Sequence, residues 1–161
     1  MWKKCDTGIT ACFLTFLVIS CTDHGLEPVY EGISGKITFI GTWPDSTEWV
    51  RLAVFKEMPA TVFDIPLKPP VFSDTLPRFV TSTNYRLTLS AGHYDWVVLA
   101  WKPKKKIATS DFSGLDTLGM YADAGNPKSP RGIDVPPKRL LTGIDIVADF
   151  SVLQPPSPIL P

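Results

Sequence analysis

Thiols and imidazoles are scarce in this sequence, with three cysteines and two histidines among 161 residues. Cys5 and Cys12 fall in the first twenty residues, so a domain built after them has only Cys21 and no internal disulfide. Charge of one sign is also missing. Sixteen Lys and Arg balance sixteen Asp and Glu, which removes the electrostatic ground for a nucleic-acid partner. No apolar run approaches the roughly twenty residues of a membrane-spanning helix. After residue 30 no stretch repeats apolar residues at i, i+3, i+4 and i+7, so helices are not expected. HExxH, G-x-S-x-G, the P-loop and the dinucleotide-binding glycine pattern do not occur. His24 and His93 stand outside any nucleophile or metal motif. The chain is therefore read as not an enzyme, and no cofactor is expected.

Proline and glycine are plentiful, at 16 and 11 residues. That composition breaks helices and suits a loop-rich β domain. Hydrophobic residues make up 44% and charged residues 20%, ordinary globular usage that excludes wholesale disorder.

Residues 1–20 read as an export signal. Lys3 and Lys4 supply a short positive segment, and an apolar stretch from Ile9 to Ile19 follows. Val18-Ile19-Ser20-Cys21 resembles the lipobox of bacterial lipoproteins: aliphatic, tolerant, small, cysteine. In that family the cysteine thiol takes diacylglycerol, the chain is cut just before it, and the new amino terminus is acylated. The resemblance implies Cys21 as lipidation site, membrane attachment through it, and a location in the cell envelope. Losing Lys3, Lys4 and Asp6 leaves the remainder near neutral. Residues 21–30 form a short polar tether. Thr22, standing where aspartate favours inner-membrane retention in enterobacteria, points to the outer membrane.

The body, residues 31–153, reads as short β-rich runs between Gly, Pro, Asp and Ser. Ile33–Ile40 and Trp49–Phe55 are the first two strands. In the second, Val50, Leu52 and Val54 share one face while Trp49, Arg51, Ala53 and Phe55 share the other. Tyr85 to Trp101 predicts a hairpin turning at Ala91-Gly92, with Leu87 and Leu89 on one arm and Tyr94, Trp96, Val98 and Ala100 on the other. Gly132–Val135 is a short strand, and Gly143–Val152 alternates Ile144, Ile146, Ala148 and Phe150 against polar positions. Two insertions, Lys56–Arg78 and Lys104–Arg131, interrupt the pattern. The proline-rich tail, residues 154–161, is expected to stay unpaired. The sum is an all-β chain, a single antiparallel β-sandwich of about seven strands. Its core is expected to hold Val50, Leu52, Val54, Leu87, Leu89, Tyr94, Trp96, Val98, Ile144, Ile146 and Phe150.

The opening GxIxF-type strand, VRLAVF, the Y-x-L-x-L-x-A-G-x-Y segment and the closing GIDIVADF resemble transthyretin-like, or carboxypeptidase-regulatory-like, β-sandwich domains of exported bacterial proteins. The resemblance implies the fold. It does not extend to the His and Ser set of the hydroxyisourate hydrolases, which this chain lacks.

Candidate contact residues are few. Trp43, Trp49 and Trp101 are candidates for ligand contact, because an aromatic face fits the apolar C–H face of a sugar ring; hydrophobic packing explains each of them equally. Asp111, Asp116 and Asp123 have oxygens suited to Ca²⁺, yet their spacing departs from the EF-hand loop and they are read as solvated, with no metal. Lys102-Pro-Lys-Lys-Lys106 could meet anionic headgroups and is read as a charged strand edge. His93 is read as a solvated turn residue. The expected function is a non-catalytic binding or interaction module, on a lipid anchor, for an unknown protein or glycan. Alternatives are a structural accessory subunit of an envelope assembly and, third, a hydrolase with an unrecognised site.

Overall fold

A computed structural model describes residues 30–61, 64–104 and 116–152. The signal, Cys21, the tether before Tyr30, Lys105, Lys106, Asp111 and the tail all lie outside these residues. The strands are β1 (Gly32–Ile40), β2 (Thr47–Phe55), β3 (Val71–Phe72), β4 (Ser82–Thr88), β5 (Gly92–Tyr94) and β6 (Trp96–Pro103). They continue with β7 (Asp116–Met120), β8 (Ala122–Asp123), β9 (Asn126–Pro130), β10 (Ile133–Val135), β11 (Leu140–Leu141) and β12 (Ile146–Asp149). A 3-10 turn, Phe150–Val152, follows.

The fold is an all-β sandwich. In the first sheet β1 is central, with β4 antiparallel along one side and β11 and β12 along the other. Both of the latter run parallel to β1, an exception in an otherwise antiparallel molecule. The second sheet has the order β3-β2-β6-β7. Two ribbons, β5 with β10 and β8 with β9, stand outside the sheets.

The core lies between the sheets. Ile33, Ile37 and Phe39 point inward from β1 at every second residue, as a half-buried strand requires. They meet Val50, Leu52 and Val54 of β2 and Val97, Leu99 and Trp101 of β6. Each fully buried Val, Leu or Ile here contributes roughly 1.5–3 kcal/mol by leaving water. A smaller cluster, Ala53, Phe55, Trp96 and Val98, covers the outer face of β2 and β6 beneath Met58, Ile65 and Phe72. The second sheet is thus covered on both faces at its centre.

All eleven expected core residues are buried, but two lie elsewhere than expected. Trp96 and Val98 belong to the outer cluster, and the inward positions of β6 are Val97, Leu99 and Trp101. The cause is a slip of phase at Asp95, which separates β5 from β6. Its carboxylate accepts from the Met58 N–H at 3.1 Å.

The expected hairpin is likewise replaced. β4 pairs with β1 in the first sheet, whereas β6 pairs with β2 and β7 in the second. The chain from Leu89 to Trp96 is a crossing between sheets. Gly92, at φ +144°, opens it with a backbone that a side chain rarely adopts. Lys104–Arg131 is also not a plain insertion: it contributes β7, a strand of the second sheet, and the β8–β9 ribbon. β12 begins only at Ile146, three residues later than the alternation suggests.

Where β7 and β12 approach, the two sheets nearly touch. A Cβ on Gly119 would strike the Val147 carbonyl oxygen, so only glycine permits this seam.

Candidate functional site

The end of the sandwich reached by β1 carries the most distinctive surface. β1 delivers Phe39 inward, and the chain turns at Gly41, where φ is +81°. The loop that follows brings Trp43 back over the core. Its ring packs 4.6 Å from that of Phe39 and 4.5 Å from that of Phe150. The indole N–H donates to the Val80 carbonyl at 2.9 Å, which satisfies the one polar atom of a half-buried ring.

Beside Trp43 stands Phe79, their ring centres 5.7 Å apart. Phe79 has a left-handed φ of +60° and is 58% exposed. Arg78 donates to the carbonyls of Thr47 at 2.8 Å and Glu48 at 3.2 Å. Its guanidinium carbon sits 5.9 Å from the Phe79 ring centre. Residues 78 and 80 are thus both held by hydrogen bonds, and the intervening ring projects.

The three tryptophans expected as contacts do not converge. Trp43 lines this end. Trp49 lies half-buried on the outer face of β2, with the Arg51 guanidinium 5.1 Å from its ring and Phe72 edge-on at 6.5 Å. Trp101 is 5% exposed and donates its indole N–H to Thr47 Oγ1 at 3.0 Å. It is a core residue, so ligand contact is corrected to packing. Phe79 was missed: nothing in Arg-Phe-Val signals a positive φ.

A second surface is the groove over the seam, about 620 Å³, between β7, β12 and the β8–β9 ribbon. Its floor includes Met120, Ala122 and the exposed Val147, and its rim Asp123, Asp145, Asp149 and Lys128. The carboxylates are already engaged locally. Asp145 accepts from the Lys36 N–H at 2.7 Å, and Asp123 from Ser129 Oγ at 3.3 Å. Asp149 accepts from the Ser151 hydroxyl and N–H, which hold its carboxyl below the usual range.

Among the described residues no three His, Cys, Asp or Glu side chains are grouped to hold a metal. Asp116 is buried at the start of β7, whereas Asp123 is exposed on the ribbon. Of the basic run, Lys102 reaches Glu48 at 3.5 Å and Lys104 donates to the Asp45 carbonyl at 3.1 Å. The strand they close, β6, pairs with β2 as far as Pro103 and with β7 as far as Trp101.

His93 is exposed but not idle. Its Nδ1 meets Asp134 Oδ1 at 2.8 Å across the β5–β10 ribbon, and its Nε2 meets Asp95 Oδ1 at 3.2 Å. The hydrogen bond to Asp134 is the main cause of a raised His93 pKa, and the Asp95 charge adds to it. No nucleophile joins this set among the described contacts, so it can clamp the ribbon and hold a proton.

Among the described residues no helix is long and apolar enough to cross a membrane. No family model, curated protein or solved structure matches the chain.

Proposed function

We propose that this chain is an exported lipoprotein, anchored through Cys21, whose β-sandwich is a non-catalytic binding module. The observation that carries the anchor is the order of parts at residues 1–21: Lys3-Lys4, a short apolar run, then Val18-Ile19-Ser20-Cys21. A single acyl chain holds a protein weakly, while two or more anchor it stably. The two-sheet sandwich is the fold implied by the resemblance to transthyretin-like and carboxypeptidase-regulatory-like domains. Binding residues favour loops on a rigid scaffold, and the Trp43–Phe79 end fits that description. Outer-membrane placement follows from Thr22 after the cysteine.

Mass spectrometry of the N-terminal peptide from native membranes tests the anchor. The expected result is a diacylglyceryl-modified, N-acylated Cys21 as first residue, with Cys21→Ser leaving an unlipidated precursor. An unmodified Cys21, or cleavage elsewhere, refutes it.

A further inference from the structure

We infer that the Trp43–Phe79 end of the sandwich is a glycan-binding platform on which a pyranose ring stacks. This rests on the binding-module reading above and names its ligand class.

The residue that points there is Phe79, which is unfavourable twice over. A bulky side chain at φ +60° strains the backbone, because left-handed geometry crowds Cβ against the carbonyl. A phenyl ring 58% exposed also leaves most of its apolar surface in water. Glycine or asparagine would relieve both penalties. Among the described residues its ring and cation partners are Trp43, at the flank, and Arg78, more distant. Strain of this kind persists where the surroundings enforce it and clusters at binding sites. The surroundings here do enforce it, through the bonds from Arg78 to the Thr47 carbonyl and from Trp43 to the Val80 carbonyl. The outcome is an aromatic face fixed in position before any ligand arrives.

A sugar suits this face better than a protein does. A whole aromatic side chain buries about 150–250 Å², and with Trp43 already half-buried these two rings leave less than twice that free, well short of the roughly 800 Å² per partner in a stable protein interface. A pyranose needs one flat aromatic face for its C–H side and polar partners for the hydroxyls around its edge. Thr42, Asp45 and Ser46 are exposed in the same loop as Trp43. Their side-chain oxygens are engaged with nothing among the described residues. The platform lies at the Ile40 end of β1, about 25 Å along the strand from Gly32.

The test is co-sedimentation of the full chain, in detergent, with cellulose, chitin, starch granules and peptidoglycan sacculi. At least one should retain the wild type. Phe79→Gly should bind it at least tenfold more weakly while melting no lower than the wild type, since glycine accepts the left-handed φ. Phe79→Trp should keep binding. Retention on none of the four polymers, or equal retention of F79G and wild type, overturns the proposal. A lower melting temperature for F79G also overturns it, because the ring would then be serving the fold. Lipidation plays no part in this assay, so failure here leaves the Cys21 anchor standing.

Discussion

Two buried tryptophans in adjacent environments make opposite predictions for one chemical change. Trp96 and Trp101 both lie on β6, at 7% and 5% exposure. The Trp101 indole N–H donates to Thr47 Oγ1, which itself donates to the Pro44 carbonyl at 2.7 Å. Among the described residues the buried Trp96 indole N–H has no acceptor. Replacing either ring by phenylalanine removes a similar volume, which costs roughly 1–2 kcal/mol in a packed site. At Trp101 the lost hydrogen bond adds about 1 kcal/mol. Trp101→Phe should therefore destabilise by roughly 2–3 kcal/mol. At Trp96 the same substitution removes an unpaired buried donor, whose desolvation costs roughly 1–3 kcal/mol. Loss and relief nearly cancel, and Trp96→Phe should be close to neutral. Urea unfolding followed by far-UV circular dichroism reads the contrast. With m near 1–3 kcal/mol/M, the two midpoints should differ by about 1 M at unchanged m. Equal losses, or a larger loss for Trp96→Phe, would refute the view that the orphan donor sets the difference.

Gly119→Ala should cost about 1–3 kcal/mol, because its Cβ meets the Val147 backbone oxygen rather than a side chain that can rotate away. Hydrogen exchange should quicken in β7 and β12 together, and unchanged protection there would contradict the seam. His93 should titrate above the ordinary 6.5, since the protonated ring is held by Asp134 and Asp95. A raised folded-state pKa means that its stabilising contribution is complete below the unfolded value and fades as pH rises through the folded one. Proton NMR of the imidazole, with Asp134→Asn lowering the midpoint, checks this; an unmoved midpoint would refute it.

Burial was easier to read from the sequence than partnership. Alternation correctly marks Val50, Leu52 and Ile146 as buried, because their neighbours Trp49, Arg51 and Val147 face away from the core. β6 is buried on both faces, so alternation there carries no phase. Trp96 and Val98 were accordingly placed on the wrong side. The crossing between sheets was hidden for a related reason. Tyr85–Trp101 has the composition of a hairpin, and the break at Asp95 depends on its bond to the distant Met58. β7 is short and contains Gly119, whose meaning is visible only with β12 beside it. Of the candidate site, Trp43 was legible as an aromatic in a loop. Phe79 was not, since its conformation is imposed by the bonds of Arg78 to the start of β2 and of Val80 to Trp43. Thr47, wholly buried, serves as acceptor for Trp101, a role no local pattern displays.

The parallel pairing of β1 with β12 sets a timetable for folding. β1 is the first described strand and β12 the last, with register Ile37 to Ile146 and Ile40 to Asp149. During synthesis the first sheet cannot close until nearly the whole domain has emerged. Topologies dominated by such distant pairings fold slowly, on the scale of milliseconds to seconds. Until then Ile37 and Phe39 lack their final neighbours Ile146 and Phe150, and the chain stays open. A translocation channel requires an open chain, so under the export proposed above end-to-end pairing supplies a built-in delay.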